Sequence, residues 1–309
     1  MEINHDRRSS KKELQVRLAE YLIQLEEGNK LPSIRKLAST THMSLGSVSS
    51  ALNDLQEMGA VSIQKRGHLG SIVEKISMNK LWNVIEPGPL VIAMTLPMHL
   101  KFEGLATGLK MAFENAGIDA YMIFIRGSLT RLKALRENRC HVAVMSGMAA
   151  EALCDEGLEI VLTLPAGSWI SGYTVFYRDL PPGCNRPLRV AVDTDSQDHR
   201  RLNDLEFAGQ AVEYRYESFV KFSRLLRNGD ADAAIWTVDQ EEAYLGADIK
   251  QRPLSEHVMK KIGEKSLSAT FIARAGHGAL RALFTNVIDP QTLLQVQAKV
   301  VAGEMVPGY

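Results

Sequence analysis

The sequence predicts an α/β protein in two parts: a small amino-terminal helix–turn–helix with a two-stranded wing, then a larger two-lobed α/β domain. Three observations predict it. Residues 31–73 compress two short amphipathic helices and two short strands into one stretch. Residues 89–309 alternate apolar strand runs with helical periodicity, the α/β pattern. That second region also resembles itself, in part at a constant spacing.

Taken in order, residues 1–9 are polar, and Ser10-Lys11-Lys12-Glu13 fits a capping box. Leu14, Leu18, Leu22 and Leu25 then recur at helical spacing, and Gly28-Asn29 should end that first helix. Ser33 can cap a short helix with Ile34, Leu37 and Ala38 on one face. Thr41-His42-Met43 supplies a turn, and Ser44 can cap the next helix. There Val48, Leu52 and Leu55 form one stripe, while Ser47, Ser50 and Asn53 fall on another. Gly59 suits a left-handed exit. Ala60–Ile63 and Ser71–Val73 are short strands around the basic tip Lys65-Arg66-Gly67-His68-Leu69-Gly70. These features define a domain over residues 1–78, with its wing at about 60–73.

Two helices and a basic hairpin suit the reading of double-stranded DNA. Arg35 and Lys36 would meet the backbone from the first helix of the pair. Ser44, Ser47, Ser50 and Asn53 would meet the groove, and Lys65, Arg66 and His68 would extend from the wing. The ordered pattern Leu31-Pro32-Ser33, Arg35, Leu37-Ala38, Ser44, Ser47-Val48, Ala51-Leu52, Leu55, Gly59 and Gly70–Val73 resembles the GntR winged-helix signature. It departs from that family at Leu45, Ser49 and Ser50, where arginines are usual, and at His68, where a glycine is usual. An alternative use for such a winged helix is protein contact.

The whole chain of 309 residues has zero formal net charge, so DNA affinity must come from local surface in the first eighty residues. Three scattered cysteines, Cys140, Cys154 and Cys184, fit reduced thiols rather than a zinc pattern, and a cytoplasmic location follows. No apolar run reaches the length of a membrane span, and the first residues lack a signal-peptide core.

Residues 74–88 lose periodicity and reach Pro87-Gly88-Pro89, so residues 79–88 read as a linker. Beyond it, Pro89–Met94 resembles Pro187–Val192. Leu135-Arg136, Val142–Ser146 and Glu151-Ala152 resemble Leu226-Arg227, Ala233–Thr237 and Glu242-Ala243, every pair 91 positions apart. Strands are expected near 90–95, 119–125 and 141–145 in one lobe, and near 188–193, 211–216 and 232–236 in the other. Ile160–Leu164 and Gly172–Tyr177 would connect them, Pro181-Pro182-Gly183 would mark a stiff crossing, and Leu267–Ala273 would return. Lobe one then covers about 89–180 plus 266–309, and lobe two about 184–265, within a sensing domain of 89–309. Two such lobes resemble the type 2 periplasmic-binding-protein fold. With the winged helix ahead of them, the chain resembles the YhfZ family of regulators, which implies a role in transcription and names no effector.

Ligands of open α/β sheets sit beyond the carboxyl ends of strands, at helix amino-termini. In lobe one these places hold Thr95, Arg126, Ser128, Thr130, Ser146 and Gly147; in lobe two, Asp195, Ser218, Trp236 and Thr237. Ser168 and Tyr173 lie near the crossing. Arg126 would fork a carboxylate or phosphate, Trp236 would form a wall, and Asp195, Glu217 and Asp239 would favour an amine. The expected effector is therefore a small anionic or zwitterionic metabolite. No nucleophile elbow, phosphate loop or metal-ligand spacing is present, so neither catalysis nor a cofactor is expected. The remaining alternative is an enzyme of unrecognised type. Reading two half-sites of DNA implies a homodimer.

Overall fold

Helix periodicity in the first residues seeds one of two compact units. The computed structural model describes residues 2–181, 183–239 and 247–309. Unit one gathers Met1–Pro89 with two later stretches, Phe113–Asp119 and Gly276–Val287. Helix α1 (Glu2–Leu22) buries Leu14, Leu18 and Leu22. It starts earlier than the capping box predicts, so Ser10 lies inside it. It also stops at Leu22 rather than Gly28. The cause is local: Gly28, at φ 88°, donates its N–H to Val73 O at 2.7 Å, turning the chain into strand β1 (Lys30–Leu31).

Ser33 caps helix α2 (Ile34–Thr41) by accepting from Lys36 N at 3.2 Å, and His42 closes it in the left-handed region. Ser44 caps helix α3 (Leu45–Glu57) by accepting from Ser47 N at 3.1 Å. Val48, Ala51, Leu52 and Leu55 form its buried stripe. Strands β2 (Val61–Lys65) and β3 (Ser71–Ile76) run antiparallel, with a single 3-10 turn at Gly67–Leu69 between them. Strand β1 pairs on the other side of β3, a third strand that the wing pattern does not reveal.

Residues 79–88, expected as a linker, instead carry most of helix α4 (Met78–Ile85), with Leu81 and Trp82 buried. Met78, Leu81, Trp82 and Ile85 share one helical face, and α4 packs on α1. Helix α11 (Gly278–Val287) packs on both, and Phe284 meets Phe113 edge-on with centroids 5.2 Å apart. Residues 113–119 and 276–287, expected in lobe one, thus belong to unit one.

Unit two holds two five-stranded sheets of the same design. In the first, β4 (Leu90–Met94) is flanked by parallel β5 (Ala120–Phe124) and β6 (Val142–Ser146). In the second, β9 (Leu188–Val192) is flanked by parallel β10 (Val212–Tyr216) and β11 (Ala233–Thr237). Antiparallel strands complete each sheet, and the lobes exchange chain there. After β7 (Leu158–Ala166) on the edge of the first sheet, β8 (Tyr173–Tyr177) pairs with β11 in the second. After β12 (Lys250–Pro253), β13 (Ser268–Arg274) returns between β6 and β7.

The duplicated strands therefore occupy equivalent positions. The lobe boundary does not follow expectation, because β8 already belongs to the second sheet. The first crossing is residues 167–172 rather than the Pro181–Gly183 stretch, and Pro182 lies outside the described residues. So do Glu242 and Ala243 of the repeat comparison.

Each lobe has its own core. In lobe one, Ala93, Leu132, Leu135, Ala143, Met145 and Ile272 pack together. In lobe two, Phe176, Ala191, Phe222, Leu226 and Trp236 do so. Helix α12 (Pro290–Val301) lies so close to α5 (Leu100–Asn115) that a Cβ on Gly104 would stand 2.9 Å from the Gln297 Cα. Among the described residues, no helix is long and apolar enough to cross a membrane.

Candidate functional site

Strand ends and helix starts from both lobes converge on one cavity of about 80 Å³ of space that a water's centre can occupy. Lobe one supplies Thr95 after β4, His99 before α5, Phe102 on α5, and Gly127, Ser128 and Arg131 at the start of helix α6 (Ser128–Arg136). Lobe two supplies Tyr173, Trp236, Thr237, Phe219 and the start of helix α8 (Gln197–Glu206) with Ser196, Asp198 and His199. Trp169 and Ile170 come from the crossing chain.

Arg131 is the buried cation of this cavity. Its Nε donates to Val144 O at 2.9 Å and its Nη1 to Ile125 O at 2.8 Å, so the guanidinium is fixed to the middle of β6 and to the residue that follows β5. The Trp169 ring lies over it at 5.9 Å. Burial pulls the guanidinium down to about 10, a shift that Asp198 opposes. Asp198 is the cavity's acid. Ser146 donates to one oxygen at 2.7 Å and Tyr173 to the other at 3.2 Å. Burial pushes this carboxyl up to about 6, against those donors and the charges of Arg131 and Arg201. Burial likewise holds both His99 and His199 down at about 4, so each imidazole is neutral near pH 7. Neither ring nitrogen of His99 has a partner among the described residues, nor does Nδ1 of His199.

The expected ligand residues divide into three groups. Thr95, Ser128, Tyr173, Trp236 and Thr237 do line the cavity. Ser146 lies behind it, holding Asp198, and accepts from Ala149 N to cap its own helix, α7 (Gly147–Leu153). The rest are elsewhere. Thr130 is exposed on α6. A Cβ on Gly147 would meet Lys265 O at 2.6 Å, so this glycine serves close packing. Ser168 is fully buried between Pro165 O and Ala269 N, where it braces the crossing. The Ser218 hydroxyl is buried without a partner among the described residues, away from the lining. Arg126 and Asp195 pair with one another.

That pairing is a clamp between the lobes. Arg126, following β5, donates to both Asp193 oxygens at 2.7 and 2.6 Å and also to Asp195, following β9. The Asp193 bond chiefly raises its pKa. Beside it, Gln197 N donates to Ser128 Oγ at 3.0 Å and Leu129 N to Asp195 O at 3.1 Å. Gly127 sits at φ 80°, and a Cβ there would fall 2.5 Å from Asp195 Cβ. On another side of the opening, Lys101 donates to Ser171 at 2.6 Å, and Ser171 N donates to Asp239 at 2.8 Å. Burial alone would raise Asp239; bonds from Ser171 and Thr237, with Lys101 nearby, outweigh it and hold the carboxyl below its usual range. The two lobes are therefore closed on one another.

Sequence reasoning missed Arg131, Asp198, His99 and His199. A signal existed for the first two. Ser128, Arg131, Leu132 and Leu135 share one stripe of α6, and Asp198 shares a stripe of α8 with Leu202. Charged residues on an apolar stripe are buried by the packing of their neighbours.

The expected DNA-contacting residues lie on unit one. Arg35, Lys36, Ser47, Ser50, Asn53, Lys65, Arg66 and His68 are all exposed. The Ser44 and Ser47 hydroxyls bond each other at 2.8 Å, and Arg66 Nε donates to Gln64 at 2.9 Å. Lys11, on α1, pairs with Asp54 of α3 at 2.7 Å, so part of the amino-terminal positive charge is neutralised. Among the described residues, no three of His, Cys, Asp and Glu are grouped to hold a metal ion.

Comparison with known proteins places both parts. Residues 77–309 match the YhfZ C-terminal domain and residues 26–73 a helix-turn-helix domain. YhfZ of Escherichia coli K12 is 31% identical over 293 residues, 94% of this chain and 95% of that protein. The crystal structure of YhfZ from Shigella flexneri is similar with a TM-score of 0.61 and 30% identity, covering 75% of this chain and 98% of that one. The periplasmic aliphatic sulphonate binding protein SsuA of Escherichia coli has a TM-score of 0.51 at 14% identity, over 71% of this chain and 76% of its own. That last likeness is one of fold: two lobes with a cleft.

Proposed function

We propose that this chain, which belongs to the YhfZ family, is a ligand-responsive bacterial transcription regulator acting in the cytoplasm. Its helix-turn-helix and wing bind operator DNA, and an anionic or zwitterionic metabolite in the cleft of unit two is the effector. The observation that carries this reading is the cavity itself. It joins a buried cation, a buried acid and unpartnered imidazole nitrogens where strand ends of two lobes meet, an expensive arrangement for a part with only a structural role.

A ligand that touches both lobes at once binds the closed arrangement better than an open one, so it shifts the population toward closure. Groove-facing Ser47, Ser50 and Asn53 read bases, while Arg35, Lys36, Lys65 and Arg66 hold phosphates. Two copies of the chain present two recognition helices to two half-sites.

The test is a selection of genomic DNA fragments with the full chain, followed by binding to the winners with and without a metabolite mixture. The expected result is enrichment of a sequence with two half-sites, whose affinity changes with one metabolite. A folded, full-length chain that enriches no duplex refutes the regulator. Sedimentation should show a dimer at micromolar concentration, and a monomer both free and on DNA refutes that part.

A further inference from the structure

The cavity's own chemistry narrows its ligand. Arg131 is 3% exposed, and among the described residues no carboxylate forms an ion pair with it. Two of its donors are spent on backbone carbonyls. Its Nη2 group and the second hydrogen of Nη1 have no partner among the described residues. Asp198 faces this cation without bonding it, so the buried charge is balanced only at a distance, and an anion bonded directly to the guanidinium lowers the cost of burying it.

The surroundings agree. Helices α6 and α8 both begin at this cavity, one from each lobe, and their amino-termini favour negative charge. His99 is 8% exposed with both ring nitrogens unbonded, and as a neutral imidazole it has one N–H to give. Thr95, Ser196 and Thr237 add hydroxyls to the lining. The Thr237 hydroxyl is spent on Asp239, and Asp198 is the one carboxylate among the described lining residues.

Asp198 then faces a problem. It is 9% exposed and already takes hydroxyl donors from β6 through Ser146 and from β8 through Tyr173. The charges that face it are Arg131 on α6 and Arg201 on its own helix; His99 and His199 are the neutral titratable groups of the same cavity. A second negative charge in so small a space would leave two anions competing for one arginine.

We propose that the cleft takes a small organic monoanion, its carboxylate on Arg131, and that Asp198 takes up one proton from solvent as it binds. The balance is one ligand anion and one proton consumed per complex, with no covalent change. The inference rests on the effector role of the cleft, and narrows it to a chemical class. Arg131 positions the carboxylate, Asp198 becomes a neutral donor to it, and Phe102, Trp169 and Trp236 wall the rest. Room for roughly half a dozen waters limits the ligand to a short carbon skeleton.

The sign of the pH effect follows from linkage. Burial pushes the Asp198 carboxyl up to about 6 before any ligand is present, and a neighbouring anion raises it further. Between those two values binding consumes one proton, so affinity falls by up to about tenfold for each unit of rising pH. Below about 6 the carboxyl is already protonated and the dependence flattens.

The experiment uses the full chain and a panel of short monocarboxylates, keto acids and hydroxy acids beside the α-amino acids and amines of the same skeletons. Melting temperature is read at pH 6.5 and 8. The best binder then goes to calorimetry in HEPES and in Tris at pH 7, whose different ionisation heats report protons taken up. The expected result is a plain monoanion that stabilises more at the lower pH, with close to one proton consumed. Asp198→Asn should bind that anion with no proton uptake and little pH dependence, while Arg131→Met should lose it at least tenfold while still folded. If Arg131→Met fails to fold, the Asp198→Asn proton count decides alone. An α-amino acid that binds better than its parent acid, with no proton consumed, overturns the inference and leaves the effector role standing. A panel in which nothing binds overturns it too, and then the genomic DNA selection decides separately whether the chain is a regulator.

Discussion

Replacing Arg126 with alanine should open the cleft. The Asp193 side chain is 2% exposed and Arg126 is 32% exposed, so the substitution removes a half-solvated cation and strands a buried acid. Asp193 is not left bare: Asp195 N and Phe219 N each still donate to it at 3.0 Å. Breaking a fully buried pair costs about 3–5 kcal/mol, and a charged hydrogen bond about 1.5–3. Surviving donors and the arginine's exposure place this one near the low end, at about 2 kcal/mol. Since Arg126 leaves lobe one and Asp193 and Asp195 belong to lobe two, most of that loss falls on the closed arrangement. A shift of about 2 kcal/mol moves a closed-to-open ratio about 30-fold.

The assay is a distance distribution between spin labels at Tyr121→Cys on β5 and Tyr216→Cys on β10. Both positions are exposed, and the labels go into a chain whose three native cysteines are replaced by alanine. Arg126→Ala should add a longer distance or broaden the peak, and Asp193→Asn should do the same. Unchanged distributions in both variants would refute the clamp, whatever happens to their melting temperatures.

Three further outcomes follow from the same geometry. Lys65→Ala with Arg66→Ala should weaken binding about equally on many duplexes and flatten the salt slope by about two, whereas Asn53→Ala should change sequence preference; filter binding across salt checks both. Trp236→Ala should remove about 3–5 kcal/mol of stability, because this side chain meets Phe219 and Phe222 at 5.3 Å in the lobe-two core; urea unfolding measures it. Asp232 is held far below the usual carboxylate range: burial alone would raise it, but bonds from Arg186 and Arg189 outweigh that. Its depressed folded value means stability present above the unfolded value of about 4 and lost as pH falls further, so Asp232→Asn should flatten acid sensitivity in unfolding curves between pH 5 and 2.

The fold was legible where residue type and register decide it. Val142–Ser146 and Ala233–Thr237 align because both are central strands, apolar on both faces, and each lies beside the equivalent parallel strand of its own sheet, β4 or β9. Ser33 and Ser44 were readable as caps because their role is local. The chain exchange between lobes was half legible. Strands 160–164 and 172–177 could be found, but which sheet each joins is fixed by pairing across long separations. Helix α4 was legible and misread. Its Met78, Leu81, Trp82 and Ile85 carry helical spacing, yet the Pro-Gly-Pro that follows drew the boundary back too far.

The site divides along the same line. Thr95, Ser128, Trp236 and Thr237 line the cavity because positions at strand ends face the cleft, a rule of topology. Arg126 was misassigned by that same rule. It follows a strand and carries the right charge, but two carboxylates of the other lobe reach it first. Arg131 lies one turn deeper, in the segment Ser128–Arg136, where Lys133 and Arg136 make the whole helix look solvated. Only the stripe it shares with Leu132 and Leu135 separates it from them. An arginine at the strand end, free to reach solvent, finds a partner within the protein. One driven into the core by its helix face, and fixed there by the carbonyls of Val144 and Ile125, lines the cavity instead. The second kind is the one on which the proposed ligand's carboxylate rests.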